Sequence, residues 1–371
     1  MYLARLELLD FRCYESVALE LPAAVIGVTG ANGQGKTSLL EAMGWLALGH
    51  SFRRVPDGAL IRDGAERAVI RGVVGNGSGT RSVDVELRQV GRHRILLNGH
   101  PAARTRDLLG SLRVTVFAPD DLQLVKGGPG ERRGFLDELL AASAPRYAGV
   151  RGDVERVLRH RNALLRAGVR DREARATLAV FDDQLVQAGG ELVRGRLRLL
   201  ARLAPAVDAA YRALAPHTLH VRTAYHPGWA DPDPPVDQVE AALRAALERE
   251  RRRELDRGVT LVGPHRDDCR LTIDERDSRT HASQGEQRTL ALALRLASHR
   301  VVAEVVGSEP VLLLDDVFSE LDGERAAALV AALPSGAQTV VTTAGTLPAG
   351  ITPACHLEVG AGRVTGAQPS L

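Results

Sequence analysis

Hydrophobic positions follow three patterns along the 371-residue chain. Residues 1–21 alternate between apolar and charged positions. Two short continuous apolar runs, "PAAVIGVTG" from Pro22 and "PVLLL" from Pro310, are typical of buried strands. From about residue 130 to 255 the apolar residues instead recur at helical spacing, with no strand-like alternation. The pattern predicts an α/β protein whose strand-bearing parts flank an all-helical insertion.

A glycine-rich segment, "GANGQGKTS" at residues 30–38, lies between the first apolar run and an amphipathic helix pattern that begins at Ser38. It matches GxxxxGK[ST], a loop whose backbone N–H groups and helix N-terminus surround nucleotide phosphates. An ordinary glycine-rich turn is the alternative, but the strand and helix on either side favour the phosphate loop. The predicted nucleotide-binding residues are Gly30, Ala31, Asn32, Gly33, Gln34, Gly35, Lys36, Thr37 and Ser38.

Lys36 is one of only two lysines in a chain whose Lys plus Arg count is 48. A compact ammonium group fits between β- and γ-phosphates, whereas the planar fork of arginine does not. We therefore predict that Lys36 acts in catalysis and that the hydroxyl of Thr37 binds Mg²⁺.

Two acidic residues end the second apolar run, in "PVLLLDDVFSELD" at residues 310–322. A buried parallel strand delivers such carboxylates to a metal ion. Successive side chains at a strand end point apart, so only one of the two can serve the metal. We predict that Asp315 binds Mg²⁺ and that Asp316 is the general base for the attacking water. The alternative is a pair of acids that cap a strand.

Upstream of these acids, "SQGEQRTLALALRLASHRVVAEVV" at residues 283–306 predicts a helix with Ser283 as N-cap and Glu286 completing a capping box. A helix of about 23 residues spans roughly 34 Å, whereas the adjacent strand spans roughly 16 Å. The helix therefore extends past the strand and past its own nucleotide. Its N-terminus, with Ser283, Gly285 and free N–H groups, is predicted to bind a phosphate held by a second subunit, with Ser283 as a catalytic residue.

Positive charge is concentrated in the helical region, although the whole chain carries only +2. Between Arg146 and Arg212 there are 14 arginines and 8 acidic residues, a net charge of +6. No Phe, Trp or Tyr lies between Tyr147 and Phe181, so stacking platforms for single strands are scarce. The excess favours duplex DNA bound through its phosphates, and the alternative is a solvated helix face with internal ion pairs. The candidate DNA contacts are Arg151, Arg156, Arg159, Arg161 and Arg166.

The three cysteines are far apart and form no CxxC pair, so neither a disulfide framework nor a zinc site is predicted. The chain shows no export signal and no window of 18 apolar residues. We expect a cytoplasmic protein, associated with the nucleoid and not with a membrane.

The order of the phosphate loop, "SQGEQ", "LLLDD" and "SELD" resembles the ABC-type ATPase heads of the SMC and Rad50 group. The resemblance is closest to the RecF family, through "LARLELLDFRCYESVALEL", "FAPDDLQLVKGGPGERRGFLD" and "TLVGPHRDD". It implies a head with a phosphate-loop parallel sheet and an antiparallel β lobe. The expected domains are residues 1–129 and 258–371, the two halves of the head, and residues 130–257, the helical arm.

The same resemblance implies that two heads enclose two ATP molecules, each between the phosphate loop of one subunit and Ser283 of the other. It implies Mg²⁺ as cofactor, an ATP-dependent homodimer, and action on gapped DNA with the recombination mediators RecO and RecR. The SOS response is part of the same expectation.

Some residues depart from the transporter-type ABC pattern. Asp316 stands where a glutamate is usual, and Thr342 and Thr343 stand where a switch histidine is expected, so we expect slow hydrolysis. The region near Asp120 and Gln123 is expected to act as the metal-sensing loop, with the sensing residue left open. Of the remaining motif residues, Arg53 and Arg54 form either an arginine loop or a solvated turn, and His265 and Arg266 are expected to form a turn.

The sequence therefore predicts a DNA-repair protein that is a weak, DNA-dependent ATPase. It clamps duplex DNA as an ATP dimer and releases it on hydrolysis. Two alternatives remain open, the nucleotide-binding subunit of a membrane transporter and a scaffold that binds ATP without hydrolysing it.

Overall fold

The computed structural model describes residues 1–77, 79–215 and 219–367. The chain folds as two compact units, each built from separate stretches of sequence. The first unit contains Met1–Asp121, Ala213–Pro216 and Leu292–Leu371, and the second contains Leu122–Arg212 and His217–Ala291. The predicted boundaries at 130 and 258 differ from these, because residues 258–291 pack with the second unit.

The strands, in chain order, are β1 (Tyr2–Phe11), β2 (Tyr14–Glu20), β3 (Val25–Thr29), β4 (Arg67–Asn76), β5 (Gly79–Arg88), β6 (Arg94–Leu97), β7 (His100–Pro101), β8 (Val114–Phe117), β9 (Val221–His226), β10 (Asp268–Ile273), β11 (Arg276–Asp277), β12 (Val311–Asp315), β13 (Thr339–Thr343), β14 (Cys355–Gly360) and β15 (Arg363–Ala367).

The helices are α1 (Lys36–Leu48), α2 (Gln123–Lys126), α3 (Pro129–Ser143), α4 (Arg146–Ala167), α5 (Arg172–Leu214), α6 (Val239–Arg257), α7 (Ser278–His281), α8 (Gln284–Val306) and α9 (Gly323–Ala332). Short 3₁₀ turns lie at Asp57–Leu60, Thr105–Leu108, Pro119–Leu122 and Val317–Glu320.

The first unit contains two six-stranded sheets. One is antiparallel, in the order β2-β1-β4-β5-β6-β7, and its strands alternate between buried apolar and exposed polar side chains. The other has the order β15-β14-β3-β13-β12-β8, in which β8, β12, β13, β3 and β14 run parallel. The predicted combination of a parallel sheet and an antiparallel lobe is confirmed.

Helix α1 packs against strands of both sheets, β4 of the antiparallel one and β12 and β13 of the parallel one. Ten of its 13 residues are buried, including Trp45, whose ring is fully covered. A helix covered on both sides is apolar around most of its circumference. The start of α1, where the phosphate loop ends, is thereby fixed within the core of the first unit.

The second unit contains α3, α4, α6, most of α5 and a three-stranded sheet in the order β11-β10-β9. The predicted all-helical insertion is therefore wrong for β9, which pairs antiparallel with β10 from Asp268↔His226 to Ile273↔Val221. Strand β9 is only six residues long and its partner lies more than 40 residues away, so the local pattern did not reveal it.

Helix α8 begins in the second unit and ends in the first, since the division falls between Ala291 and Leu292. Its 23 residues match the length predicted from the sequence. Among the described residues, no helix is both long enough and apolar enough to cross a membrane.

Candidate nucleotide-binding site

The loop between β3 and α1 has a backbone that only glycine adopts without strain. Gly30, Gly33 and Gly35 have φ values of 150°, 78° and 118°. A Cβ atom on Gly30 would collide with the carbonyl oxygen of Val359, and one on Gly35 would lie 2.6 Å from Cys13 Sγ. The glycine spacing read from the sequence is thus required by close packing as well as by the turn.

The ammonium group of Lys36 lies inside this loop. Its Nζ donates hydrogen bonds to the carbonyl oxygens of Gly30 and Ala31, at 2.7 and 3.0 Å, and the residue is buried. Gln34 faces another way, because its Oε1 accepts a hydrogen bond from the backbone N–H of Ala361 at 2.7 Å. The loop therefore holds a positive charge where phosphates would enter.

The first residues of α1 meet the end of β12. The hydroxyl of Thr37 donates to Asp315 Oδ1 at 2.8 Å, and the hydroxyl of Thr342 donates to the same oxygen at 3.1 Å. Burial raises the pKa of Asp315, and the hydrogen bonds from Thr37 and Thr342 oppose that rise. A threonine hydroxyl beside a carboxylate is an oxygen donor set that suits Mg²⁺, so Thr37 and Asp315 fit the ion as a pair.

Asp316 has a different environment from Asp315. It takes the left-handed backbone conformation at φ 50°, and its N–H donates to Thr342 Oγ1 at 2.9 Å. Its buried Oδ1 atom has no hydrogen-bond partner within the part of the chain that the structure describes. Asp316 also lines the cavity around the phosphate loop, so its carboxylate lies beside the space that an attacking water would occupy.

These groups line one cavity of about 680 Å³ in the first unit. That volume is within the range of about 300–1,000 Å³ typical of small-ligand sites. The lining residues are Arg12, Cys13, Asn32, Gly33, Gly35, Lys36, Thr37, Ser38, Phe52, Arg53, Ala59, Ile61, Ala118, Pro119, Asp120, Asp315 and Asp316.

Two residues that the sequence left open lie on the cavity wall. Arg53 lines it, and its positive charge is one of the weaker influences that lower the pKa of Asp315. Asp120 also lines it, beside Asp121, whose carboxylate accepts hydrogen bonds from the Arg295 guanidinium and from the N–H of Ala118. Asp120 is therefore the better placed of the two candidates for sensing the metal.

Sequence reasoning missed Arg12. Its guanidinium binds both oxygens of the fully buried Glu41, at 2.9 Å each, and donates to the carbonyl of Ala59 at 2.9 Å. The hydroxyl of Ser51 also donates to Glu41. These bonds fix a positive charge at the cavity wall, but the turn between β1 and β2 approaches the loop only through tertiary packing, which no local pattern reveals.

The predicted capping box at the start of α8 is confirmed. The N–H of Ser283 donates to Glu286 Oε2 at 2.7 Å, and the N–H of Glu286 donates to Ser283 Oγ at 3.3 Å. Gly285 lies in the first turn, where its carbonyl accepts from Thr289 Oγ1 at 2.9 Å. Their role toward the nucleotide of a second subunit stays a prediction.

The candidate DNA-binding arginines all lie on α4, but they are not equivalent. Arg161 is fully buried and donates to Asp182, Glu254 and Thr260, at 2.9, 2.5 and 2.8 Å. Its predicted contact with DNA is therefore wrong, because a buried guanidinium with three partners cannot reach a phosphate.

The other four candidate arginines are exposed. Arg151 and Arg156 pair with acids of their own helix, Glu155 at 3.5 Å and Asp153 at 2.7 Å. Arg159 and Arg166 are exposed as well. Half of this exposed set thus follows the alternative interpretation, a helix face with internal ion pairs.

His265 lies in the turn expected from "TLVGPHRDD". It is largely buried, and this burial lowers its pKa to about 4, so the imidazole is neutral near pH 7. Its Nε2 lies 3.3 Å from the carbonyl oxygen of Thr260. The residue is built into the second unit as a structural group.

The fold, together with the phosphate loop, the Thr37 hydroxyl and the Asp315 carboxylate, defines an ABC-type ATPase head of the SMC-like class. The family model described as "RecF/RecN/SMC N terminal domain" matches residues 2–347. The chain also resembles solved SMC heads, among them one bound to the C-terminal winged-helix domain of ScpA, with a TM-score of 0.60 at 16% identity. At that identity the likeness shows the fold alone.

Relatives with higher sequence identity identify the family within this class. The "DNA replication and repair protein RecF" of Streptomyces avermitilis is 45% identical over 351 residues, covering 93% of this chain and 94% of its own. The protein of the same name from Acidothermus cellulolyticus is 43% identical over 349 residues, with the same coverage. The chain therefore belongs to the RecF family of DNA replication and repair proteins.

Solved structures of RecF proteins support the same family assignment. A structure of the recombination mediator protein RecF with ATP, in the RecFOR pathway, matches with a TM-score of 0.90 at 28% identity. It covers 99% of each chain. A second RecF structure, labelled RecF-ATPrS, matches with the same TM-score and identity over 98% of each chain.

Proposed function

We propose that this protein binds ATP with Mg²⁺ in the cavity of the first unit and hydrolyses it slowly. The observation that carries the proposal is the 2.8 Å hydrogen bond between Thr37 and Asp315, which joins the end of the phosphate loop to the end of β12. The two similar RecF structures, named RecF-ATP and RecF-ATPrS, support the choice of nucleotide.

Four residues of the cavity have roles in this reaction. Thr37 and Asp315 would hold Mg²⁺, which supplies charge neutralisation at the phosphates when bound. Lys36 turns from the loop carbonyls to the β- and γ-phosphates. Asp316 orients the attacking water and takes its proton on the carboxylate.

A short carboxylate supports the proposal of slow turnover. Asp316 is one methylene shorter than the glutamate usual at this position, so its carboxylate reaches less far into the cavity than a glutamate would. Thr342 is committed to Asp315 and Asp316, and Thr343 Oγ1 accepts from the N–H of Gly345 at 3.2 Å. Neither threonine supplies the imidazole that a switch histidine would provide.

Two such heads form an ATP-dependent homodimer in which Ser283 and Gly285 of one subunit bind the γ-phosphate held by the other. The closed dimer clamps duplex DNA near gaps, in the cytoplasm at the nucleoid, and hydrolysis releases it. The exposed arginines Arg151, Arg156, Arg159 and Arg166 of the second unit contact DNA phosphates. RecO and RecR are the partners, a proposal supported by the RecFOR pathway named for the RecF structures.

The direct test measures ATP turnover by the purified protein with and without duplex DNA, at fixed salt. The proposal predicts slow turnover that duplex DNA stimulates. Turnover that DNA does not change would overturn the proposed DNA dependence, and ATP binding without turnover would favour a scaffold.

A further inference from the structure

The end of the antiparallel sheet carries a second concentration of positive charge. Residues 87–106 contain five arginines, two histidines and no Asp or Glu, a net charge of +5 with histidine neutral. The whole chain carries only +2. This stretch covers the end of β5, all of β6 and β7, and the start of the loop that follows.

Strand register and one further hydrogen bond set the course of this stretch. Arg94 pairs with Glu86 across β5 and β6, and the N–H of Ala102 donates to the carbonyl of Ile95 at 2.9 Å. Arg104 follows Ala102 by two residues along the chain. We call the exposed arginines of this region the hairpin patch; they are Arg88, Arg92, Arg94, Arg104 and Arg106.

Little negative charge neutralises the hairpin patch. Glu86 is the central acid, and it binds Arg88 Nε at 2.6 Å and Arg67 Nη1 at 3.3 Å. The hydrogen bond from Arg88 does most to lower the pKa of Glu86, and the charges of Arg88, Arg67 and Arg94 add to it.

The remaining arginines of the hairpin patch have fewer acidic partners than Arg88 and Arg94. Among the described residues, Arg92, Arg104 and Arg106 form no ion pair, and the carboxylate of Asp107 accepts from the backbone N–H of Arg104 at 2.9 Å. The patch thus differs from α4, where Arg151 and Arg156 are matched by acids of the same helix.

We propose that the hairpin patch binds the phosphate backbone of duplex DNA. Strands β5 to β7 span roughly 10 Å at about 4.8 Å per strand, and one DNA strand presents a phosphate about every 3.4 Å of helix axis. The width of this sheet edge is therefore on the scale of about three successive phosphates. Guanidinium groups bind phosphate oxygens in a bidentate manner, without reading the base sequence.

The chemistry of the stretch selects duplex over single-stranded DNA. Residues 87–106 contain no Phe, Tyr or Trp on which bases could stack. The imidazole of His93 already lies 3.0 Å from Asp57 Oδ2. Duplex DNA as the ligand rests on the proposed function, whereas the location of the contact rests on the patch itself.

The test compares wild type with a triple variant, Arg92→Ala, Arg104→Ala and Arg106→Ala, none of which lines the nucleotide cavity. Duplex affinity is measured with ATP at several salt concentrations. Each lost phosphate contact reduces the slope of log affinity against log salt by about 0.9, so three contacts reduce it by about 2.7. Over the roughly 0.8 log units between 0.15 M and 1 M salt, this corresponds to a loss of about 10²-fold at 0.15 M.

A matched control removes the same charge from paired arginines of the first unit, through Arg5→Ala, Arg62→Ala and Arg71→Ala. These side chains pair with Glu7, Asp10 and Asp84. The control should keep most of the wild-type slope of log affinity against log salt. Both variants should keep wild-type ATP binding.

The outcomes separate the two proposals. A triple variant with the wild-type slope, or a control that loses as much as the triple variant, overturns the hairpin patch alone. Wild-type protein that binds no duplex even with ATP overturns the proposed function too. If the triple variant keeps duplex binding but loses binding to polyglutamate, the patch fits an acidic protein and the DNA contact is overturned.

Discussion

Thr342 links the two carboxylates of the candidate site, and its hydroxyl can be removed with little change in shape. It donates to Asp315 Oδ1 at 3.1 Å and accepts from the N–H of Asp316 at 2.9 Å. The residue is fully buried, so in Thr342→Val no water replaces the hydroxyl. The variant leaves a buried donor unsatisfied and takes one hydrogen bond from the metal-binding carboxylate.

The cost of an unsatisfied buried donor is about 1–3 kcal/mol. If the whole of this cost is added to the activation free energy, because Asp316 is displaced in the transition state, ATP hydrolysis falls roughly 5- to 150-fold. The pKa of Asp315 rises further above its ordinary value, because the hydrogen bond from Thr342 opposes the effect of burial. Protons then compete with Mg²⁺ up to a higher pH, so the pH at which Mg²⁺ binding is half-lost shifts upward.

The assay is single-turnover hydrolysis as a function of Mg²⁺ concentration and pH. Thr339→Val is the matched control, since that buried threonine of β13 donates to the carbonyl of Ala337 and not to either acid. Thr342→Ser restores the hydroxyl and should restore both rate and pH dependence. Wild-type turnover and an unshifted Mg²⁺ profile in Thr342→Val would refute the reasoning.

Other variants test the remaining groups. Lys36→Arg should lose ATP-induced dimerisation, measured by size-exclusion chromatography, whereas Lys126→Arg makes the same chemical change at the only other lysine and should dimerise normally. Ser283→Arg should bind ATP as a monomer but form no dimer; a collapse of monomer affinity would show that Ser283 serves its own site. Arg161→Ala leaves Asp182 and Glu254 buried without their shared partner and should reduce the free energy of unfolding by about 3–5 kcal/mol in denaturant titrations. A loss below about 1 kcal/mol would contradict that reading.

Local signals in the sequence were sufficient for much of the site. The phosphate loop, the acids that end β12 and the capping box of Ser283 all depend on residues adjacent in sequence, and each was predicted where it lies. The burial of Arg161 could also have been predicted from the sequence. It falls at helical spacing with the buried Val157, Leu158 and Leu165, which places it on the apolar face of α4.

Other features depend on pairing between distant residues. Thr342 meets Asp315 only because β12 and β13 align in parallel register, with Asp315 opposite Thr342. Arg12 reaches the cavity through the packing of the β1–β2 turn against the loop, where a Cβ on Gly35 would touch Cys13. Strand β9 exists because β10 pairs with it. No window of sequence contains both partners of such contacts.

Asp316→Asn tests the central claim most directly, because it preserves size and removes the base. The measurement follows ATP hydrolysis and the lifetime of the ATP dimer on duplex DNA in the same samples, at fixed salt. We predict a loss of about 10²-fold or more in hydrolysis, with ATP binding retained and slower release from DNA than wild type. Asp315→Asn should instead weaken Mg²⁺-dependent closure itself. Hydrolysis by Asp316→Asn at the wild-type rate would contradict the assignment of the base, and faster release from DNA would contradict the clamp cycle.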